Sequence, residues 1–347
     1  MAEDTTSPAW PRRVAIVSDA WHPQVNGVVR SLTQLSHELT ARGIAVTVIG
    51  PDRFATLPCP YYPEIRLSLW PGRRLRRLLA EFGPDALHIA TEGPLGFAAR
   101  RWALRRGYAF TTSFHTRFPD YVAARLPIPR RLTYRWMRRF HSAGSAVMAA
   151  TPSLIAELRG RGFSNVCLWS RGVDTEAFSP AHRNEQAPRR PVFLYCGRLA
   201  IEKNVAAFLD LDLPGTRVVV GDGPDRAALA ERYPSAIFLG TLSGEALSRA
   251  YASADVMVFP SRTDTFGLVV LEALACGTPV AAFPVPGPRD IMGNADPSVG
   301  ALDEDLRRAA LAALKADRGQ CRRFAEGFSW SAAAAMFMGN LVPIARA

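Results

Sequence analysis

Short, wholly apolar runs alternate with helix-length stretches along this chain, and that alternation restricts the fold more than any other feature. Arg13-Val-Ala-Ile-Val-Ser-Asp19 reads as a buried strand, Gly27 to Arg42 as a helix, and Ile44 to Ile49 as a second strand. Strand, helix, strand opens a doubly wound parallel sheet, because a parallel neighbour is reached only through a crossover. Asp85 to Ala90 and Tyr108 to Phe114 continue the pattern, and Ala146 to Ala150 reads as the last strand of this sheet, with a helix from Pro152. The pattern restarts at Pro191-Val-Phe-Leu-Tyr-Cys-Gly197 and runs on through Val218 to Val220, Ile237 to Leu242 and Asp255 to Pro260. A chain of 347 residues suits two such α/β domains, each large enough to bury its own core.

Charge divides the chain in two. The net charge is +11, yet residues 1–170 hold 23 arginines against 11 acidic residues, whereas residues 171–347 are close to balanced. A one-sided basic surface suits a polyanion, either nucleic acid or anionic lipid headgroups, although a merely solvated arginine face has the same composition. Two segments of this half are amphipathic and basic. Residues 70–82 place Leu75, Leu78, Leu79 and Phe82 at helical spacing beside Arg73, Arg74, Arg76 and Arg77. Residues 128–140 place Leu132, Trp136 and Phe140 against five arginines. Such helices can lie in a headgroup layer with the apolar face down, or pack that face on a sheet. No apolar run is long enough to span a bilayer, and the polar, acidic N-terminus does not resemble a signal peptide. Five widely spaced cysteines without a Cys-x-x-Cys pair predict neither zinc nor a disulfide framework and suit a reducing cytosol.

The candidate chemistry gathers in the second half. Between the run Asp255 to Pro260 and the apolar stretch Leu268 to Ala275 lies a polar loop with Asp264 in it, and Glu272 falls inside the helix-length stretch. A carboxylate in an apolar helix is costly unless something binds it, and a helix N-terminus beside a strand end is an anion site. The bland alternative is a capping aspartate and an exposed glutamate. After the strand ending at Gly197 comes Arg198-Leu-Ala-Ile-Glu-Lys203. Of 42 basic residues only Lys203 and Lys315 are lysines, so a lysine in this loop is unusual for the chain. A planar guanidinium and a compact ammonium together suit a diphosphate leaving group. Gly221 and Gly223 follow another strand in a turn, and a Gly-x-Gly by itself specifies little. His115 stands at the end of a predicted strand, where ligands bind in parallel sheets. The loop after the first strand, Pro23-Gln-Val-Asn-Gly-Val28, has one glycine and is no dinucleotide fingerprint.

Taken together these segments resemble the retaining glycosyltransferases of family 4, which have two Rossmann-like domains facing across a cleft, the GT-B fold. Asp264-Thr-Phe-Gly followed by Glu272 resembles the carboxylate-x7-Glu signature of that family, with Asp264 where most members have Glu. Arg198 and Lys203 match its Gly-Arg-x4-Lys motif, Gly221-Asp-Gly-Pro224 its Gly-x-Gly-Pro loop, and Gly172-Val-Asp-Thr-Glu-Ala-Phe178 its hinge segment, with Arg171 in place of the usual Asn. The resemblance implies that residues 1–178 form the acceptor-side domain and 190–330 the nucleotide-sugar domain, with residues 331–347 returning to the first. It implies that Arg198 and Lys203 hold the donor diphosphate and that Glu272 holds the ribose. Asp264, Phe266, Gly267, Leu268 and His115 would hold the sugar, Asn26 and Gly27 would reach its phosphates, and Thr241 would border the base. The departing phosphate would assist proton removal, leaving Asp264 to orient the donor. No metal and no cofactor are expected beyond the nucleotide-sugar co-substrate.

Pro-Gln-Val-Asn-Gly-Val-Val-Arg and Thr-Asp-Thr-Phe-Gly further resemble the bacterial branch that glycosylates diacylglycerol. The expected reaction is transfer of a hexose, from a UDP-sugar or from GDP-mannose, to a membrane lipid at the cytoplasmic face of the membrane. A soluble sugar or polysaccharide acceptor is the alternative. A nucleotide-sugar epimerase and a nucleic-acid-binding protein are the readings outside transfer. No helix-turn-helix, zinc-finger or RNA-sheet signature supports the last, so no nucleic-acid partner is expected.

Overall fold

A computed structural model of the chain describes residues 10–24, 26–59, 62–123, 127–184, 189–293 and 297–345. Its first half contains β1 (Arg13–Val17), β2 (Ala45–Ile49), β3 (Thr56–Cys59), β4 (Tyr62–Ser68), β5 (Ala86–Ile89), β6 (Thr111–Ser113), β7 (Ala146–Ala149) and β8 (Val166–Leu168). Its second half contains β9 (Val192–Cys196), β10 (Thr216–Val220), β11 (Ile237–Gly240), β12 (Val256–Phe259), β13 (Val280–Ala282) and β14 (Gly300–Leu302). The strands make two six-stranded sheets, ordered β2-β1-β5-β6-β7-β8 and β11-β10-β9-β12-β13-β14, and a separate hairpin of β3 and β4. All pairings within the two large sheets are parallel. The central strands are buried because helices cover both faces, and most are apolar, although β5 carries His88 and β6 is Thr-Thr-Ser.

The alternation in the sequence therefore marks two doubly wound sheets. One expectation is corrected: β7 is not the last strand of the first sheet. Three-residue β8 lies outside it, with Trp169 N–H donating to Ala149 O at 2.9 Å. β8, β13 and β14 each have three residues, too few for a periodicity to show.

The final helix, Trp330–Asn340, leaves the second sheet and packs on the first. Ala334, Phe337, Met338 and Leu341 are buried with Val14, Ile16, Leu32 and Trp169. Beyond it Ile344 N–H donates to Asp85 O at 2.7 Å.

The first basic segment packs its apolar stripe on the sheet, one of the two alternatives, and the second buries a different face from the one named. In the helix Gly72–Phe82, Leu75 and Leu79 are sealed in the core of the first sheet, so this apolar stripe is structural. What stays outside is Arg73, Arg74, Arg76 and Arg77, with Trp70, 90% exposed, at the entry. In the helix Arg130–His141 the buried face is Thr133, Tyr134, Met137, Phe140 and His141. Phe140 therefore serves the core, while Leu132 (51% exposed) and Trp136 (40% exposed) are left on the surface between Arg131, Arg135 and Arg139. The stretch Tyr134-Arg-Trp-Met-Arg-Arg-Phe140 carries two partly apolar stripes, and the sequence alone does not tell which one the sheet takes. No helix among the described residues is long and apolar enough to cross a membrane.

Candidate active site at the mouth of the two sheets

β12 ends at Phe259, and the loop from Pro260 leads to Gly267, which opens the helix Leu268–Ala275. Gly267 has φ = 91°, a left-handed conformation that favours glycine. One turn into this helix Glu272 is buried, and its carboxylate accepts from Arg30 Nη1 at 2.8 Å and from Tyr251 Oη at 2.9 Å. The exposed-glutamate alternative thus falls, because the charge is paired by an arginine from the other domain. Arg30 projects from the helix Gly27–Ala41 and is made more basic chiefly by the charge of Glu272. The Tyr251 hydroxyl holds its proton far above the usual range, first through burial and then through neighbouring Cys196 and Glu272.

Asp264 meets Lys203. The Lys203 ammonium lies 2.5 Å from Asp264 Oδ1, and Asp264 Oδ2 is buried without a hydrogen-bond partner. Side-chain-to-backbone hydrogen bonds between the two loops set this register. Asn204 Nδ2 donates to Pro260 O at 3.2 Å, and Thr263 Oγ1 donates to Glu202 O at 3.2 Å. The Lys203 loop is pressed in turn against the glycine loop, where Leu199 N–H donates to Asp222 O at 2.9 Å. Gly221 has φ = 134°, and a Cβ there would lie 1.9 Å from Gly197 O, so only glycine allows the two strand ends to meet. Gly221 N–H donates to Gly240 O at 2.8 Å, which brings exposed Thr241 alongside. Arg198, Lys203, Gly221, Gly223, Thr241, Asp264, Gly267 and Glu272 are therefore all carried by the carboxyl ends of β9 to β12 or the helix that follows.

The first sheet faces this group. Thr265 Oγ1 donates to the backbone oxygen of His115 at 2.8 Å, so the acidic loop touches the loop after β6 directly. His115 Nδ1 accepts from Arg171 Nη2 at 3.2 Å, and Nε2 is buried without a partner. A Cβ on Gly27 would lie 3.8 Å from Leu268 Cδ1, placing these two expected site residues opposite each other.

Two expected site residues also have structural roles. Asn26 is the N-cap of the helix Gly27–Ala41, with Oδ1 accepting from Val28 N–H and Val29 N–H at 3.0 Å each. Its carbonyl thus serves two otherwise unpaired helix donors. The Phe266 ring is buried in the core of the second sheet and helps hold the loop in place. Arg30 and Tyr251 were not legible as site residues. Arg30 lies 242 positions from its partner Glu272, and nothing local to either segment signals the pairing.

Beneath the site, His88 is wholly buried on β5, with its ring nitrogens 2.9 Å from Thr111 Oγ1 and from Ser113 Oγ. Burial first, then the charges of Arg171 and His141, lower its pKa to about 3. The unfolded chain binds a proton on His88 below pH ~6.5 while the folded chain does not, so this contribution is lost as pH falls from ~6.5 towards 3. His88 alone costs ~2 kcal/mol at pH 5. Asp19, buried and raised to about 6, acts in the opposite sense, since the stability it gives is lost as pH rises through 6. The comparison that isolates His88 is chemical denaturation of the parent and His88→Asn at pH 7 and pH 5. The parent should lose ~2 kcal/mol more between the two pH values than the variant, and equal losses would contradict the buried neutral ring.

With the geometry in view, similarity to known proteins becomes informative. Residues 25–177 match the Glycosyltransferase Family 4 domain and residues 190–316 match the Glycosyl transferases group 1 domain. The chain is 35% identical over 306 residues to a GDP-mannose-dependent alpha-mannosyltransferase of Mycobacterium tuberculosis, covering 81% of each protein. It is 25% identical over 348 residues to an alpha-monoglucosyldiacylglycerol synthase of Streptococcus pneumoniae, covering 87% of this chain and 78% of that one. Among solved structures, sucrose-phosphate synthase from Thermosynechococcus elongatus superimposes with a TM-score of 0.72 at 22% identity, over 94% of this chain and 97% of that one. Paired parallel sheets, facing strand ends and these matches agree: the chain belongs to the family 4 glycosyltransferases of the GT-B fold and is a glycosyltransferase enzyme.

Proposed function

We propose that this enzyme transfers a hexose from a nucleoside diphosphate sugar to a lipid acceptor such as diacylglycerol at a membrane surface, with retention at the anomeric carbon. The donor half of the reading is supported by one observation above all: Lys203, Asp264 and His115 converge where the two sheets meet. Lys203 and Arg198 neutralise the diphosphate as it departs, and the acidic loop positions the sugar. Asp264 Oδ2 and His115 Nε2, one acceptor and one ring nitrogen, are both buried and unpartnered in the protein itself, as hydroxyl-binding groups would be. The departing phosphate oxygen assists removal of the acceptor's proton.

In this structure Glu272 is held by Arg30, and a ribose that hydrogen-bonds Glu272 shares or displaces that arginine. Glu272→Gln keeps an acceptor for Tyr251 but removes the charge. Its KM for the donor should rise ~10–100-fold with a smaller change in kcat, since hydrogen bonds to charged groups contribute about 1.5–3 kcal/mol. An unchanged donor KM would remove Glu272 from the site.

The acceptor half is supported by the outer face of the first domain. The helices Gly72–Phe82, Pro94–Leu104 and Arg130–His141 lie on the same side of the sheet. Their exposed side chains include Arg73, Arg74, Arg76, Arg77, Arg101, Arg131, Arg135, Arg138 and Arg139, interrupted by Trp70, Leu132 and Trp136. Arginines with exposed tryptophans between them match an anionic headgroup layer better than a soluble sugar. The relatives include one whose name specifies GDP-mannose and one whose name specifies diacylglycerol, so the donor panel for the transfer assay holds both GDP- and UDP-sugars. Flotation with anionic vesicles tests the acceptor side. Protein that stays at the bottom of the gradient would favour a soluble acceptor.

A further inference from the structure

Arg171 stands in an unusual setting. It is buried, and among the described residues no carboxylate pairs with it. Its guanidinium stacks on the Trp169 ring at 3.9 Å and donates to Trp169 O at 2.5 Å and Ser170 O at 3.1 Å. The remaining contact is Nη2 to His115 Nδ1 at 3.2 Å. An unpaired buried cation is costly, so its retention calls for a return elsewhere.

Arginine has five N–H donors and no acceptor, so in this pair His115 Nδ1 must be the acceptor. A neutral imidazole that accepts at Nδ1 carries its one proton on Nε2. We propose that Arg171 is a positioning residue that fixes His115 as the neutral Nε2–H tautomer, making the ring a fixed hydrogen-bond donor to the oxygen-rich donor substrate. An asparagine at this position could also turn its carbonyl towards the ring and would hold the tautomer less firmly.

The surroundings act in the same direction. His115 faces the Arg171 guanidinium, the edge of Trp169, and the rings of His88 and His141 beyond. Burial first, then the charge of Arg171, then the two histidines keep the His115 ring neutral well below its usual range. Arg171 itself is lowered to about 9 by burial and stays charged at neutral pH. A ring so held presents Nε2–H without having to reorganise when substrate arrives, and a ring free to exchange tautomers would offer a lone pair part of the time.

The inference rests on the cleft being the donor site, and the test separates the two. Imidazole nitrogen NMR of the whole, ligand-free protein, with His115→Gln to assign the signal, reads the tautomer without any substrate. His115 should be purely Nε2–H from pH 5 to pH 8. Arg171→Met should show exchange between tautomers or a shift to Nδ1–H, whereas Arg171→Lys, which keeps a charged donor, should largely restore the parent signal. In transfer assays Arg171→Met should lower kcat ~10²-fold, with no further loss when added to His115→Ala. If Arg171→Met fails to fold, Arg171→Gln, whose amide can turn either its N–H or its carbonyl to the ring, should show a mixture of the two tautomers. An Nδ1–H ring in the parent, an unchanged ring in Arg171→Met or Arg171→Gln, or independent losses in the double variant would overturn the proposal. A ring held as stated beside a fully active His115→Ala would leave Arg171's effect on the tautomer intact and overturn the use of His115 as a donor to substrate, and with it the placement of the sugar.

Discussion

Lys203→Ala should lower kcat for sugar transfer ~10²–10³-fold while the protein still melts cooperatively within a few degrees of the parent. Lys203 sits in a short 3-10 turn between β9 and the next helix, with its ammonium on Asp264. Its loop is held to the acidic loop by the Asn204 side chain on Pro260 O and by Thr263 Oγ1 on Glu202 O, neither of which needs the lysine side chain. Removing it therefore takes away one charge at the leaving group and leaves the surrounding framework in place. The structural cost is the second Asp264 oxygen losing its partner, about 1–3 kcal/mol for a partly buried group. Lys203→Arg should recover only part of the activity, because a planar fork does not fill the place of a compact ammonium. The exposed Lys315, the other lysine, is the control, and Lys315→Ala should behave as the parent. Equal turnover by Lys203→Ala and parent would remove the diphosphate assignment.

Neutralising the exposed arginines of one helix should have an effect of similar size on a different observable. Arg73, Arg74, Arg76 and Arg77 point to solvent, while Leu75 and Leu79 of the same helix hold it to the sheet. Changing all four to Gln leaves the core intact and removes about 1 kcal/mol of attraction to an anionic surface per residue, so partitioning onto anionic vesicles should weaken ~10³-fold. Raising the salt concentration should weaken the parent in the same direction, since exposed charges are screened beyond ~10 Å at 0.1 M. Trp70→Ala, at the entry of this helix, should reduce partitioning further without changing its salt dependence. Donor cleavage measured without vesicles should be the same in all of these variants. Undiminished flotation of the fourfold variant would show that this face is a solvated surface.

Both sheets are legible in the sequence because parallel strands covered on two faces are continuous apolar runs. β1, β9 and β12 are read off Val-Ala-Ile-Val, Val-Phe-Leu-Tyr-Cys and Val-Met-Val-Phe almost to the residue. The loops that carry chemistry are legible for a related reason: once the strand ends are placed, Arg198, Lys203, Asp264 and His115 must lie near them. What the sequence withholds is which groups meet across the cleft. The Arg30–Glu272 pair joins separate domains, the Arg171–His115 contact joins segments 56 positions apart in one domain, and no spacing rule connects either. Asn26 shows the opposite limit, since an Asn-Gly before an apolar helix fits equally a substrate-binding loop and an N-cap, and the backbone donors of Val28 and Val29 take the side chain. The two arginine-rich helices were readable as amphipathic but not as to which stripe the sheet would bury, because Leu132 and Phe140 are equally apolar.

The central claim, sugar transfer from a nucleotide donor to a membrane lipid, is tested most directly by following a labelled sugar. Purified enzyme is mixed with diacylglycerol in anionic vesicles and, in separate reactions, labelled GDP-mannose, UDP-glucose, UDP-galactose or UDP-glucuronate. The account predicts that one donor delivers label to the lipid phase through an α-linkage and that Lys203→Ala abolishes the transfer. Label that remains in water while a soluble acceptor is glycosylated would contradict the lipid acceptor, and a donor isomerised without transfer would contradict the reaction.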